Sequence, residues 1–164
     1  LEKKKVSNDE ETFRRLAVEL RFLEGTADAL QSRINLVNAA ITELTYANNT
    51  LEGIEKEKED ALLFVPIGGG SYIKAKLGSA DTVIVGIGAD VAIEKTIKEA
   101  KELVKNRISE LEKNHASLQQ QLAQVIEKIR EDRAMLQEVT RRLSQRESQT
   151  NVRKTEGRIQ QPRQ

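Results

Sequence analysis

A chain of 164 residues with 3% aromatics, no Trp and 38% hydrophobic residues has the length of one domain, yet lacks the aromatic bulk that usually fills a globule of that size. Its 27 basic and 26 acidic residues leave a net charge of +1, so there is no global drive toward nucleic acid or an anionic membrane. With no Cys it has no disulfides and no thiolate metal sites, which fits a reducing, cytoplasmic setting; no apolar run reaches membrane-span length and no signal peptide is visible. The chain opens on Leu1 rather than Met, which leaves the native N-terminus open.

Residues 1–9 are polar and expected to be flexible, with Ser7, Asn8 or Asp9 placed to cap a first helix and Glu10 and Glu11 in its first turn. That helix is expected over 10–62. It carries Phe13, Leu16, Leu20, Leu23, Ala27, Leu30, Ile34, Val37, Ile41, Leu44, Asn48 and Leu51 at alternating steps of three and four. The 3.5-residue period keeps one stripe toward a partner helix, with Asn48 as a polar register mark. Gly25 and Gly53 lie inside it, each at a cost of about 1 kcal/mol relative to Ala.

The period then changes. Residues 63–93 read as four short strands: a run ending Phe64-Val65-Pro66-Ile67, the alternating Tyr72–Leu77, Thr82–Ile87, and Val91-Ala92-Ile93. Gly68-Gly69-Gly70, Gly78-Ser79-Ala80-Asp81 and Gly88-Ala89-Asp90 supply the turns, which predicts two consecutive β-hairpins. Pro66 has no N–H, so its strand is expected at an edge or interrupted. Isolated two-stranded ribbons are marginal in water and their edges invite pairing, so the β body is expected to assemble with other subunits.

A second helix is expected over 94–144, with a weaker seam of Val104, Ile108, Leu111, His115, Leu118, Leu122, Val125, Ile129, Asp132, Leu136, Val139 and Leu143. Residues 145–164 have five basic and two acidic residues and almost no apolar content; a disordered basic tail is expected there. Each arm covers roughly 50 residues, about 75 Å of helix. Equal arms joined by a short block favour an antiparallel intramolecular pair over a parallel dimer. The fold class is therefore α+β, mostly α: a long antiparallel coiled-coil hairpin with two β-hairpins at the bend.

Enzymatic motifs are weak. Gly86-Ile87-Gly88 after a strand looks like a dinucleotide turn, but Val91 stands at the third glycine position and no β-α alternation surrounds it. Gly68-Gly69-Gly70-Ser71 lacks the Gly-Lys-Ser/Thr ending of a phosphate loop. One histidine, His115, and no cysteine argue against a metal centre or nucleophilic catalysis. No catalytic residue, metal site or cofactor is expected. Arg146, Arg153, Lys154, Arg158 and Arg163 give the tail charge, but no reading motif for nucleic acid accompanies them.

Near the ends of the arms, Val18, Phe22 and Met135 are apolar yet lie off the seam. A wider seam or fraying ends would account for them. The functional reading is an adaptable apolar contact surface, for which Met is well suited.

The stretches Phe64-Val65-Pro66-Ile67-Gly68-Gly69-Gly70-Ser71-Tyr72-Ile73-Lys74-Ala75 and Val83–Thr96 resemble the alpha-type subunit of archaeal prefoldin, a likeness that extends over roughly residues 10–145. Two hairpins are similar to the alpha type, since the beta type is known for one. The resemblance implies an ATP-independent chaperone: a hexamer of two alpha-type and four beta-type subunits, its β-hairpins joined in a β-barrel body from which coiled coils project. Their tips would hold unfolded or nascent polypeptides and deliver them to a group II chaperonin. Client contacts would then fall to Phe13, Leu16, Val18, Leu20, Phe22, Leu23, Met135, Leu136, Val139 and Leu143, and oligomerisation to Val65, Ile67, Ile73, Val83, Val85 and Ile87. The other reading is a filament-forming or scaffolding coiled coil without client transfer.

Overall fold

The structure is a computed structural model that describes residues 2–79, 81–88 and 90–159. In chain order it contains α1 (Glu2–Ile54), β1 (Leu62–Gly68), β2 (Ser71–Lys76), β3 (Thr82–Gly88), β4 (Val91–Thr96) and α2 (Ile97–Ile159). Two long helices with two β-hairpins between them make the chain mostly helical α+β. Its contacts divide it into two units, one of residues 1–33 and 118–164, the other of residues 34–117.

In the first unit, a stretch of α1 packs antiparallel to a stretch of α2. Asp9 pairs with Arg146 and Glu24 with Arg133, so position rises on one helix as it falls on the other. Leu16, Leu20 and Leu30 are buried from α1, as are Leu118, Ile129 and Val139 from α2. Each such side chain stabilises the packing by about 1.5–3 kcal/mol relative to exposure. Leu23, Leu122, Val125, Leu136 and Leu143 are half-buried. Nearly every position off the stripe is solvated, as a 3.5-residue period requires.

In the second unit the same logic buries Ile34, Ile97, Ala100 and Val104. Cross-helix ion pairs Glu55–Lys101 at 2.6 Å and Glu52–Lys105 at 3.6 Å again run antiparallel. The hairpins are separate two-stranded sheets, β1 with β2 and β3 with β4. Both ladders shift register just before the turn, between Pro66 and Gly68 and between Gly86 and Gly88. Gly68, Gly69, Gly70 and Gly88 take positive φ there, a region that L side chains resist. Every strand is an edge strand, which is how Pro66 is accommodated.

Several boundaries differ from expectation. Helix α1 begins at Glu2, so residues 2–9 are helical and Asp9 lies inside the helix rather than capping it. The same helix stops at Ile54, not near 62. Seam residues end at Leu51, and the run Glu55-Lys56-Glu57-Lys58-Glu59-Asp60 has no apolar side chain to bury. The chain turns there through Lys56 N–H to Gly53 O and Glu57 N–H to Ile54 O, with Asp60 at φ 65°. Strand β4 reaches Thr96 because Thr96 pairs with Thr82, which delays α2 to Ile97. Helix α2 continues through 145–159, where a disordered tail was expected. Gln, Arg, Glu and Lys are good helix formers, and Arg146 is held by Asp9. Residues 160–164 of that tail, Leu1, and the turn residues Ala80 and Ala89 lie outside the described residues.

Candidate functional site

Within the first unit, the ten candidate side chains fall into three groups. Leu16 (2% exposed), Leu20 and Val139 are buried in the seam and are not available at the surface while the pair is closed. Leu23, Leu136 and Leu143 are half-buried. Val18 (71%), Phe22 (75%) and Met135 (56%) stand in solvent, and Phe13 sits at the rim. Val18 and Phe22 are one turn apart on α1, two residues past the seam residues Leu16 and Leu20, so they share the face turned away from the seam. A shallow groove runs past them, lined by Glu11, Arg14, Arg15, Val18, Glu19 and Phe22.

Asp132 occupies a seam position on α2 and is 1% exposed. Lys128 Nζ lies 3.0 Å from its Oδ1, one turn away, and Oδ2 has no hydrogen-bond partner among the described residues. The hydrogen bond to Asp132 and that carboxylate's charge hold the Lys128 ammonium above its ordinary pKa. Nearby, the hydrogen bond from Arg141 keeps the Glu138 carboxyl below its ordinary range. Asp9 is also buried, between Arg146 and Arg142, a contact that the sequence did not suggest because the partners lie at opposite ends of the chain.

In the second unit the expected assembly residues differ in exposure rather than in strand face. Val65 pairs with Ile73 on one face of β1–β2, and Val85 pairs with Ile93 on one face of β3–β4. Val83 and Val85 are half-buried, while Val65, Ile67, Ile73 and Ile87 are exposed. Leu62, Phe64, Tyr72, Ile84 (80%) and Val91 are exposed as well and were not singled out from sequence. The signal was present: both faces of these strands carry large apolar residues, where a half-solvated strand would alternate with polar ones.

The first hairpin is held at its base and the second near its turn. Asp60 N–H donates to Leu77 O and Leu77 N–H to Ala61 O, both at 2.8 Å, and Arg107 Nη1 donates to Gly86 O at 2.7 Å. Thr96 and Glu99 form a capping box at the start of α2. Thr96 N–H and hydroxyl both donate to Glu99 Oε2 at 3.0 Å, and Glu99 N–H donates to the Thr96 hydroxyl at 3.3 Å. The Thr96 backbone bond first, then its hydroxyl, depress the Glu99 pKa. Asn48 spends its amide on Glu52 one turn along its own helix, at 3.1 Å. His115 Nε2 is buried without a hydrogen-bond partner among the described residues. No cluster of three or more metal-ligating side chains occurs among the described residues, and none of their helices is long and apolar enough to cross a membrane.

The family model described as Prefoldin subunit matches residues 23–142. The chain belongs to the prefoldin family. Prefoldin subunit alpha of Methanopyrus kandleri is 36% identical over 121 residues, 74% of this chain and 77% of that one. Its counterpart from Pyrococcus horikoshii is 30% identical over 140 residues, 85% of this chain and 95% of that one. Among solved structures, a filamentous PFD from Methanocaldococcus jannaschii superimposes with a TM-score of 0.61 at 24% identity, covering 70% of this chain and 95% of that one; this shows the shared fold. The alpha-type character expected from the β segments therefore stands. Prefoldin subunits are non-enzymatic chaperone components.

Proposed function

We propose that this chain is the alpha-type subunit of an ATP-independent holdase that acts in the cytoplasm. Two copies would combine with four beta-type subunits through the hairpins, and the helical arms would receive non-native polypeptides and pass them to a group II chaperonin. The observation that carries client capture is the exposure of Val18, Phe22 and Met135 beside a seam already filled by Leu16, Leu20 and Val139. Such a surface makes many weak, non-directional contacts, which suits clients without a fixed sequence. Assembly rests on hairpins with apolar residues on both faces and four unpaired edges.

The test is light scattering of a dilution-denatured protein, with and without this chain plus a beta-type subunit, in the absence of ATP. Suppressed aggregation supports the holdase. Undiminished aggregation in the presence of a confirmed hexamer rejects it.

A second reading is a filament-forming subunit without client transfer, favoured by the fold shared with the filamentous PFD of Methanocaldococcus jannaschii. It requires the isolated chain to polymerise as its concentration rises, which negative-stain microscopy would reveal.

A further inference from the structure

The first unit holds a second groove beyond Phe22. It has a volume of 720 Å³ and centres on Gly25. Phe22, Ala29, Leu30 and Val125 provide apolar walls, and the missing side chain of Gly25 leaves its floor open, with nothing within 4 Å of where a Cβ would stand. The charged lining residues are Arg21 and Arg33; no carboxylate lines it. Neither arginine has an ion pair or a hydrogen bond among the described residues. The groove therefore joins apolar walls to two cations that no carboxylate of its lining neutralises.

Resting on the chaperone reading above, we propose that this groove receives an apolar side chain from an unfolded polypeptide whose neighbouring residues are acidic. The apolar walls take the side chain, and Arg21 and Arg33 take carboxylates to either side through charge-assisted hydrogen bonds. Twelve residues of helix separate the two arginines, about 18 Å along the axis. An extended chain spans that in about five or six residues. The preferred client segment therefore has a large apolar residue between two carboxylates spaced about that far apart. A nucleic acid would satisfy the arginines through phosphates, but would leave the apolar walls without a partner.

The experiment uses the full chain assembled with a beta-type subunit and short labelled peptides read by fluorescence anisotropy. One peptide carries Leu between Glu residues at that spacing, a second has Lys in place of Glu, and a third has Ser in place of Leu. At low salt the Glu peptide is expected to bind about tenfold more tightly than the Lys peptide, and the Ser peptide more weakly than the Glu peptide. The preference should disappear in the Arg21→Gln, Arg33→Gln double variant. It should also disappear in Gly25→Glu, which places a carboxylate in the open floor and improves helix propensity, so that loss of folding does not explain the result. Equal affinity for the Glu and Lys peptides, or a preference that survives both variants, overturns the proposal. Competition by a single-stranded oligonucleotide together with equal binding of the Leu and Ser peptides overturns it in favour of phosphate recognition. Aggregation suppression by the same wild-type assembly is measured alongside. If suppression holds while the charge preference is absent, only this inference falls; if suppression is also absent, the chaperone reading falls with it.

Discussion

Arg146 Nη1 donates a 2.5 Å hydrogen bond to Asp9 Oδ2, closing a loop of 137 residues. Arg142 adds a second, longer contact to the same carboxylate at 3.7 Å. Asp9 is mostly covered, whereas the two arginines remain partly in water. Removing the carboxylate's charge should therefore cost less than breaking a fully buried pair, about 1–2 kcal/mol. Asp9→Asn is expected to speed amide exchange over residues 142–148 and lower the urea midpoint. Unchanged exchange there would mean that the pair does not hold the helix ends together.

Asp132 should act in the opposite sense. Its carboxylate is enclosed, with one lysine as partner and one oxygen unsatisfied. Replacing a buried charge by a hydrophobic residue of similar size is often neutral or stabilising by about 1–4 kcal/mol. Asp132→Leu is expected to raise Tm. A lower Tm would show that the Lys128–Asp132 pair is a net source of stability.

The triple variant Val18→Ser, Phe22→Ser, Met135→Ser removes exposed apolar surface from both helices of the first unit. Folding stability should move by no more than about 0.5 kcal/mol per site, since these side chains are largely solvated already. Aggregation suppression should fall with the oligomer intact on size-exclusion chromatography. Full protection by the variant would remove these residues from the client surface.

Val85 pairs with Ile93 on the half-buried face of β3–β4. Val85→Lys is expected to shift the complex with beta-type subunits to monomers or dimers by light scattering, while circular dichroism keeps its helical signal. A normal hexamer would exclude Val85 from the assembly surface.

Acid should loosen the start of α2. The Glu99 carboxyl is depressed below its ordinary value of 4.5 by the bonds from Thr96, so the folded state binds its proton less readily than the unfolded chain. The stabilisation is complete above the unfolded pKa and is lost as pH falls through the lower, folded one. Glu99→Gln should flatten the pH dependence of thermal unfolding below about pH 4.5. Thr96→Ala, which deletes the cap, should cost about 1 kcal/mol. A pH profile identical in wild type and Glu99→Gln would contradict this account.

The seams were legible because a 3.5-residue period is a property of each helix alone, and Leu16, Leu20, Ile34, Val104, Leu118 and Val139 are all buried where the period puts them. The hairpins were legible from Gly68-Gly69-Gly70 and Gly88, whose positive φ values these turns require. What sequence hid was set by distant partners. Asp9 looked like a cap until Arg146 was placed beside it. Thr96 and Glu99 carry the spacing of a capping box, but strand pairing with Thr82 decided that β4 would run up to it. Among the candidate site residues, the period distinguishes Val18 and Phe22 from the seam but cannot tell that Phe13 sits at the rim while Leu16 is enclosed.

The two hairpins form independent sheets, each with its own outer edges and apolar faces. Under the assembly proposed above, each hairpin would serve one neighbour, and the chain would be bivalent in strand pairing. A subunit with two docking ends can link neighbours on both sides, and such linkage by itself sets no limit on how far an assembly grows. Closure into a finite particle or extension into a fibre would then depend on whether the neighbours have one docking end or two, and the ratio of subunit types would become the control on size.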